Sequence, residues 1–286
     1  MAQDEFFIMG SGQINLKSSS GSTGKITYRT EKGYDENALR KINQAYGGNY
    51  EDPLSRMSLR FLEVLSNIQS HFDNALIMQR SGFRSMRSNQ GLRNQGKMAA
   101  QSSMHVEAAA IDFYLQGVNV LELKDYATQL PCCGVGYYHG RHIHLDTGPK
   151  RWWDETNSGT DKKEPQENEK IIVLMSQDIF YGKQAIQFDF ARVTNLPFGV
   201  KSKVQLEKWN KDQWTAAQSF PISLSETPTS SLECLKVENR KDMKEASLKA
   251  SPLAVGRYRM KVEFCEKQWT KMPDQIYSDA FEVRNE

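Results

Sequence analysis

Four residues near the middle of the chain have the types and spacing to hold a metal ion. His105 and Asp112 are separated by six residues, and His142 and His144 by one. Histidine is scarce, five in 286 residues, and four of the five fall between positions 105 and 144. If Ile143 and Leu145 face the core from a strand, then His142, His144 and Asp146 share the other face. The two imidazoles then stand about 7 Å apart, so that one can ligate an ion while the other stands beside its open position. Asp112 lies between Ile111 and Phe113 in an apolar strand and faces away from them. A carboxylate so close to a core needs a partner, and a cation is the simplest one. Two neutral imidazoles and a carboxylate leave the fourth position of a tetrahedral ion to water, the requirement of a catalytic zinc rather than a structural one. The bland alternative is a surface cluster on a hairpin. There is no HExxH, so no helix-borne glutamate serves as base. Glu107 is unconstrained in direction and is given no role.

The elements that must position these residues read as follows. Residues 5–30 alternate and carry Gly/Ser turns, as in a β-hairpin. Helical spacing covers 35–46 and 53–73, the second with Leu54, Met57, Phe61, Val64, Leu65, Ile68 and Phe72 as its apolar stripe and Pro53 near its start. A short strand follows at 74–78, and 89–98 is a polar helix or loop. A strand at 108–115, a helix at 120–130 and a hairpin at 134–145 complete an α+β pattern. After Trp152-Trp153, residues 154–170 are charged and almost devoid of apolar side chains, as in a linker or exposed loop. Beyond them strand-like segments recur at 170–175, 185–193, 203–209, 256–264 and 280–283, with one further helix at 240–249. That is the pattern of an antiparallel immunoglobulin-like β-sandwich without catalytic clustering. The expected division is a first domain at 1–155, a linker at 156–169 and a sandwich at 170–286.

Several segments resemble the bacterial zinc D-Ala-D-Ala metallopeptidases. They are Ser81-Gly82-Phe83-Arg84-Ser85 with Asn89 and Leu92, Ser103-x-His105-x6-Asp112-Phe113, Gly134-Val135-Gly136-Tyr137-Tyr138, and Ile143-His144-Leu145-Asp146-Thr147-Gly148 followed by Arg151-Trp152. The resemblance runs from about residue 70 to 153 and is greatest to the branch acting on peptidoglycan cross-links. It implies a hedgehog/DD-peptidase-like α+β fold and one zinc ion per chain, held by His105, Asp112 and His144. It makes His142 the catalytic imidazole that does not ligate, and Arg84 the arginine that faces the substrate's carboxylate or carbonyl. Ser103, two residues before a ligand, either positions substrate or hydrogen-bonds the loop backbone. Asp146 either orients a histidine through Nδ1–H or caps Thr147-Gly148. Tyr137 and Tyr138 line the cleft or pack, and Trp152 and Trp153 read as core or interface residues. The family has glycine three residues after the first ligand, where this chain has Ala108. If that position needs φ > 0, alanine costs on the order of 1 kcal/mol.

The implied partners are peptidoglycan peptide stems, and the implied location is periplasmic or secreted. Phe6–Met9 is too short for a signal peptide and follows acidic residues, and no apolar run approaches the ~20 residues of a membrane span. With 37 basic and 35 acidic residues the net charge is +2, which neither requires nor excludes a polyanionic partner. The basic run Arg80, Arg84, Arg87, Arg93 and Lys97 lacks the aromatic interleaving of a nucleic-acid module and reads as a rim facing an anionic wall. A competing class is a zinc-stabilised module that binds wall or protein without cleaving it; a purely structural site has no use for His142 and Arg84. Adjacent cysteines rarely bridge, so Cys132 and Cys133 read as small buried residues, while Cys234 and Cys265 can pair in an exported chain.

Overall fold

The computed structural model describes residues 7–97, 99–158, 166–182, 184–224, 233–248 and 253–285. The chain divides into two compact units, Met1–Lys163 and Glu164–Glu286.

The first unit opens with the hairpin β1 (Gln13–Ser18) and β2 (Gly21–Thr27), then a short pair, β3 (Arg29–Thr30) and β4 (Gly33–Tyr34). Helix α1 (Glu36–Tyr46) starts where the Asp35 side chain accepts from the Ala38 amide at 2.9 Å, and ends at Gly47 in the left-handed region. Helix α2 (Leu59–His71) begins later than its apolar spacing suggests. Asp52 takes the Leu54 amide on its side chain and the Ser55 and Arg56 amides on its carbonyl, making Asp52–Arg56 a separate turn. Strand β5 (Ile77–Ser81) is likewise displaced toward the C-terminus, because Asp73 and Asn74 both take positive φ and close α2 first.

Then come α3 (Met86–Asn94), β6 (Ala110–Leu115), α4 (Val120–Gln129), β7 (Gly134–Tyr137), β8 (Ile143–Asp146) and β9 (Arg151–Asp154). The seven-stranded sheet runs β2-β1-β5-β6-β8-β7-β9. Its β1–β5 and β7–β9 pairs are parallel and the other neighbours antiparallel. One apolar cluster fuses the helices to one face: Leu39 and Ile42 of α1, Phe61 and Leu65 of α2, and Leu123 of α4 pack with Ile111, Phe113, Ile143 and Leu145. Alternation along β6 and β8 therefore turns Asp112, His144 and Asp146 to the opposite face.

Two expectations need correcting in this unit. Cys132 and Cys133 are bonded to each other; Cys133 takes φ 91°, which brings the two side chains together in the turn between α4 and β7. Of the two places expected for Trp152, core or interface, the core is excluded: it is 67 % exposed, on the edge strand β9.

The second unit is all-β. Its strands are β10 (Ile172–Met175), β11 (Ile179–Tyr181), β12 (Ile186–Ala191), β13 (Phe198–Lys201), β14 (Lys203–Asn210) and β15 (Gln213–Ser223). They continue with β16 (Cys234–Val237), β17 (Ala246–Leu248), β18 (Gly256–Glu266), β19 (Gln275–Tyr277) and β20 (Phe281–Arg284). The two longest strands, β15 and β18, change partners along their lengths, which bends the hydrogen-bonded network around a core. That core contains Phe188, Phe190, Phe198, Phe264 and Phe281. Cys234 and Cys265 are disulfide-bonded. The helix expected at 240–249 is absent among the described residues. Asp242 and Asn239 capture the backbone amides of 238, 239, 241 and 242 in a turn, and β17 follows it.

Candidate metal centre

Asp112 and His144 are direct cross-strand neighbours in β6 and β8. His105 reaches them from the loop before β6. His105 Nε2, Asp112 Oδ1 and His144 Nδ1 converge, with separations of 3.2 Å for His105–Asp112, 3.2 Å for His105–His144 and 2.9 Å for Asp112–His144. All three residues are buried.

The opposite side of each residue decides which atom faces inward. His105 Nδ1 lies 2.7 Å from the Gly82 carbonyl, which can only accept, so Nδ1 carries the proton and Nε2 offers a lone pair. His144 Nε2 lies 2.9 Å from the Asp146 carboxylate and donates to it, leaving Nδ1 as the lone pair. Arg84 donates to Asp112 Oδ2 at 2.8 Å, which leaves Oδ1 facing the centre. Three acceptors thus meet with no donor between them, an arrangement that calls for a cation. A tetrahedron with ~2.1 Å bonds has edges of about 3.4 Å, a few tenths of an ångström wider than the observed spacings, so the donor set fits a single small ion with a slight opening.

Electrostatics follow the same geometry. Burial alone would raise the Asp112 pKa, but His105 and His144 outweigh it and hold the carboxyl well below its usual range. Burial lowers His105, with Asp112 opposing only in part. For His144 burial works downward, yet the carboxylates of Asp112 and Asp146 carry the pKa up; a proton drawn to Nδ1 would occupy the place that a cation takes. Asp146 is held low against its burial by His144 and Arg151.

Each remaining expected residue has a definite place. Asp146 does both things expected of it as alternatives, orienting His144 and accepting from the Gly148 amide at 2.8 Å, but it acts through Nε2 rather than Nδ1. Arg84 donates to Ser81 Oγ at 2.9 Å as well as to Asp112, so its fork is partly committed to the ligand carboxylate. Ser103 is buried and its hydroxyl accepts from the His105 amide at 3.4 Å, holding the loop. His142 makes no hydrogen bond to His105, Asp112 or His144. It stacks on Tyr138 with centroids 4.6 Å apart and planes at 13°, and partial burial lowers its pKa. Ala108 takes φ 54° and is fully buried, so the left-handed turn expected of glycine is kept with alanine.

Four residues given no part in the centre by the sequence contribute to it. Trp153 lies with its ring centroid 5.1 Å from that of His144, and Tyr138 stacks on His142, so each of the two histidines has an aromatic ring against it. Arg151 donates to both oxygens of Asp146. Gly134 and Gly136 leave room for these two: a Cβ on Gly136 would lie 2.6 Å from the Trp153 indole, and one on Gly134 would strike the Arg151 guanidinium. The G-x-G spacing in β7 was the available signal.

Among the described residues, one buried His–Asp–His cluster that could hold a metal ion lies on the open face of an α+β sheet, and together with a family match it makes the first unit a metallopeptidase domain. The family model described as peptidoglycan L,D-endopeptidase MepK matches residues 14–153. A probable peptidoglycan L,D-endopeptidase MepK of Haemophilus influenzae is 34% identical over 125 residues, 43% of this chain and 67% of that protein. Peptidoglycan L,D-endopeptidase MepK of Escherichia coli is 27% identical over 136 residues, 47% of this chain and 75% of that protein. The chain belongs to this family, and its second, all-β unit lies beyond the matched residues.

Proposed function

We propose that the chain is a zinc-dependent L,D-endopeptidase that hydrolyses peptide bonds in the stems or cross-links of peptidoglycan. The observation that carries the reading is the convergence of three acceptor atoms whose opposite sides are occupied by Gly82, Asp146 and Arg84. The bond type and substrate are those named for the relatives, and the residues matched by the family model, 14–153, contain the whole centre.

His105, Asp112 and His144 would hold the zinc, which supplies Lewis acidity toward a water and a peptide carbonyl. His142 moves the proton. It is half-buried and held by its stack on Tyr138, so a ring nitrogen can take a proton from water and return it to the leaving amine. Arg84 fixes the ligand carboxylate and keeps 15 % of its side chain accessible, facing the substrate with a donor that Ser81 and Asp112 do not use. Asp146 and the Gly82 carbonyl hold the ligand rings in the tautomer that ligation needs. The Cys234–Cys265 bond supports an exported, periplasmic or secreted protein.

The test is metal analysis followed by digestion of purified peptidoglycan, with products identified by mass. His142→Ala should keep one zinc per chain and lose turnover by about 10²-fold or more. Loss of zinc in that variant would mean that the two histidines exchange roles. No cleavage by the zinc-loaded protein across several wall chemistries would replace the peptidase by a binding module.

A further inference from the structure

A cleft of about 650 Å³ lies where β6 runs on into the following loop, its lining drawn from the ligands' face at Tyr114 and His142 and from the core at Leu115 and Val120. That size is within the range of pockets that bind small ligands. It is walled by Tyr114 and Leu115 of β6, Val118 of the following loop, His142 and Arg141 of the β7–β8 connection, and Arg80 of β5. Tyr114 stands two residues beyond Asp112 on β6, and His142 two residues before His144 on β8. Both are therefore displaced about 7 Å along the strands from the ligands, on the ligands' own face. A peptide running along these strands from the metal centre passes Tyr114 and His142, the cleft residues on that face.

The two arginines are not equivalent. Arg141 is paired with Glu155 and donates to the Tyr138 carbonyl. Arg80 has no carboxylate partner among the described residues. Its guanidinium lies over the Tyr114 ring at 5.0 Å from the centroid. A guanidinium held over an aromatic ring and paired with no carboxylate has N–H donors left for a planar anion, and a carboxylate fits its fork in two-pronged fashion.

We propose that this cleft is a substrate subsite for a stem-peptide residue carrying a free carboxylate, and that Arg80, oriented by Tyr114, is the residue that recognises it. The inference rests on the peptidoglycan-peptidase reading for the identity of the peptide, not for the recognition of the anion. Arg80 is thus a specificity residue and takes no part in the proton transfers assigned to His142.

The test separates binding from cleavage. The full chain, its Arg80→Gln variant and its Arg80→Lys variant are titrated calorimetrically with two purified cross-linked muropeptides. The two differ only in whether the free carboxylates beside the cross-link are intact or amidated. The wild-type chain should bind the carboxylate form on the order of tenfold more tightly. Arg80→Gln should abolish that preference without changing affinity for the amidated form, and Arg80→Lys should keep part of it. In turnover assays the same factor should appear in KM, with kcat little changed. A wild-type preference that survives in Arg80→Gln, no preference in the wild type, or no binding of either muropeptide would each overturn the subsite. Selective binding through Arg80 without cleavage would sustain the subsite and defeat the peptidase reading instead.

Discussion

Asp146 has the most crowded hydrogen-bond environment in the centre. It accepts from His144 Nε2, from the Gly148 amide and from two nitrogens of Arg151, and it is fully buried. An ionised carboxylate has about four acceptor directions, and all are used. Asparagine in its place would turn an NH2 group toward either His144 or Arg151, where only donors already point. Asp146→Asn should weaken metal binding by about 10- to 100-fold and destabilise the fold by about 3 kcal/mol. Competition against a chelating dye and urea unfolding measure the two effects. Unchanged metal affinity would show that packing against Trp153 alone orients His144.

Among the elements, β7 shows how a strand can be chosen for what it omits. Gly134 and Gly136 lie on the site face, opposite Asp146 and His144 in register, and the space above them is taken by Arg151 and Trp153 from β9. Gly136→Ala should push the indole off His144 and lower kcat/KM by about 10²-fold while leaving the sheet intact. Turnover and the near-ultraviolet circular dichroism of Trp153 report it, and full activity with an unshifted spectrum would remove Trp153 from the mechanism. The β6 and β8 faces were legible from alternation alone, since a period of two is local to the strand. The starts of α2 and β5 were not: Asp52, Asp73 and Asn74 divert the backbone by side-chain capture and positive φ, which an apolar stripe does not reveal. The helix expected at 240–249 failed for the same reason, at Asn239 and Asp242.

Across the whole molecule, the two apolar cores share no residue, and the metal centre lies entirely within the first unit. A chain ended at Lys163 should therefore unfold cooperatively and bind one zinc with the affinity of the full protein. Calorimetric unfolding and metal titration test this. A truncated chain that fails to fold would show that the second unit contributes to the first one's stability. The loop closed by Cys234–Cys265 spans a sequence separation of 31 residues within the second unit. Its stabilisation, about 3–4 kcal/mol by loop closure, belongs to that unit.

The sequence by itself determined which residue types are available for a metal and which face of their strands they occupy. Histidine scarcity, the His-x-His alternation and an aspartate between two core residues are all local facts. It also exposed Ala108 as a departure, and that residue takes the positive φ which made it suspect. Only the tertiary structure decided the inward-facing atoms, His105 Nε2, Asp112 Oδ1 and His144 Nδ1. The groups that choose them are Gly82, Arg84, Asp146 and Arg151. Gly82 and Arg84 come from the segment after β5 and Arg151 from β9, and no spacing along one strand encodes where such distant donors and acceptors will meet.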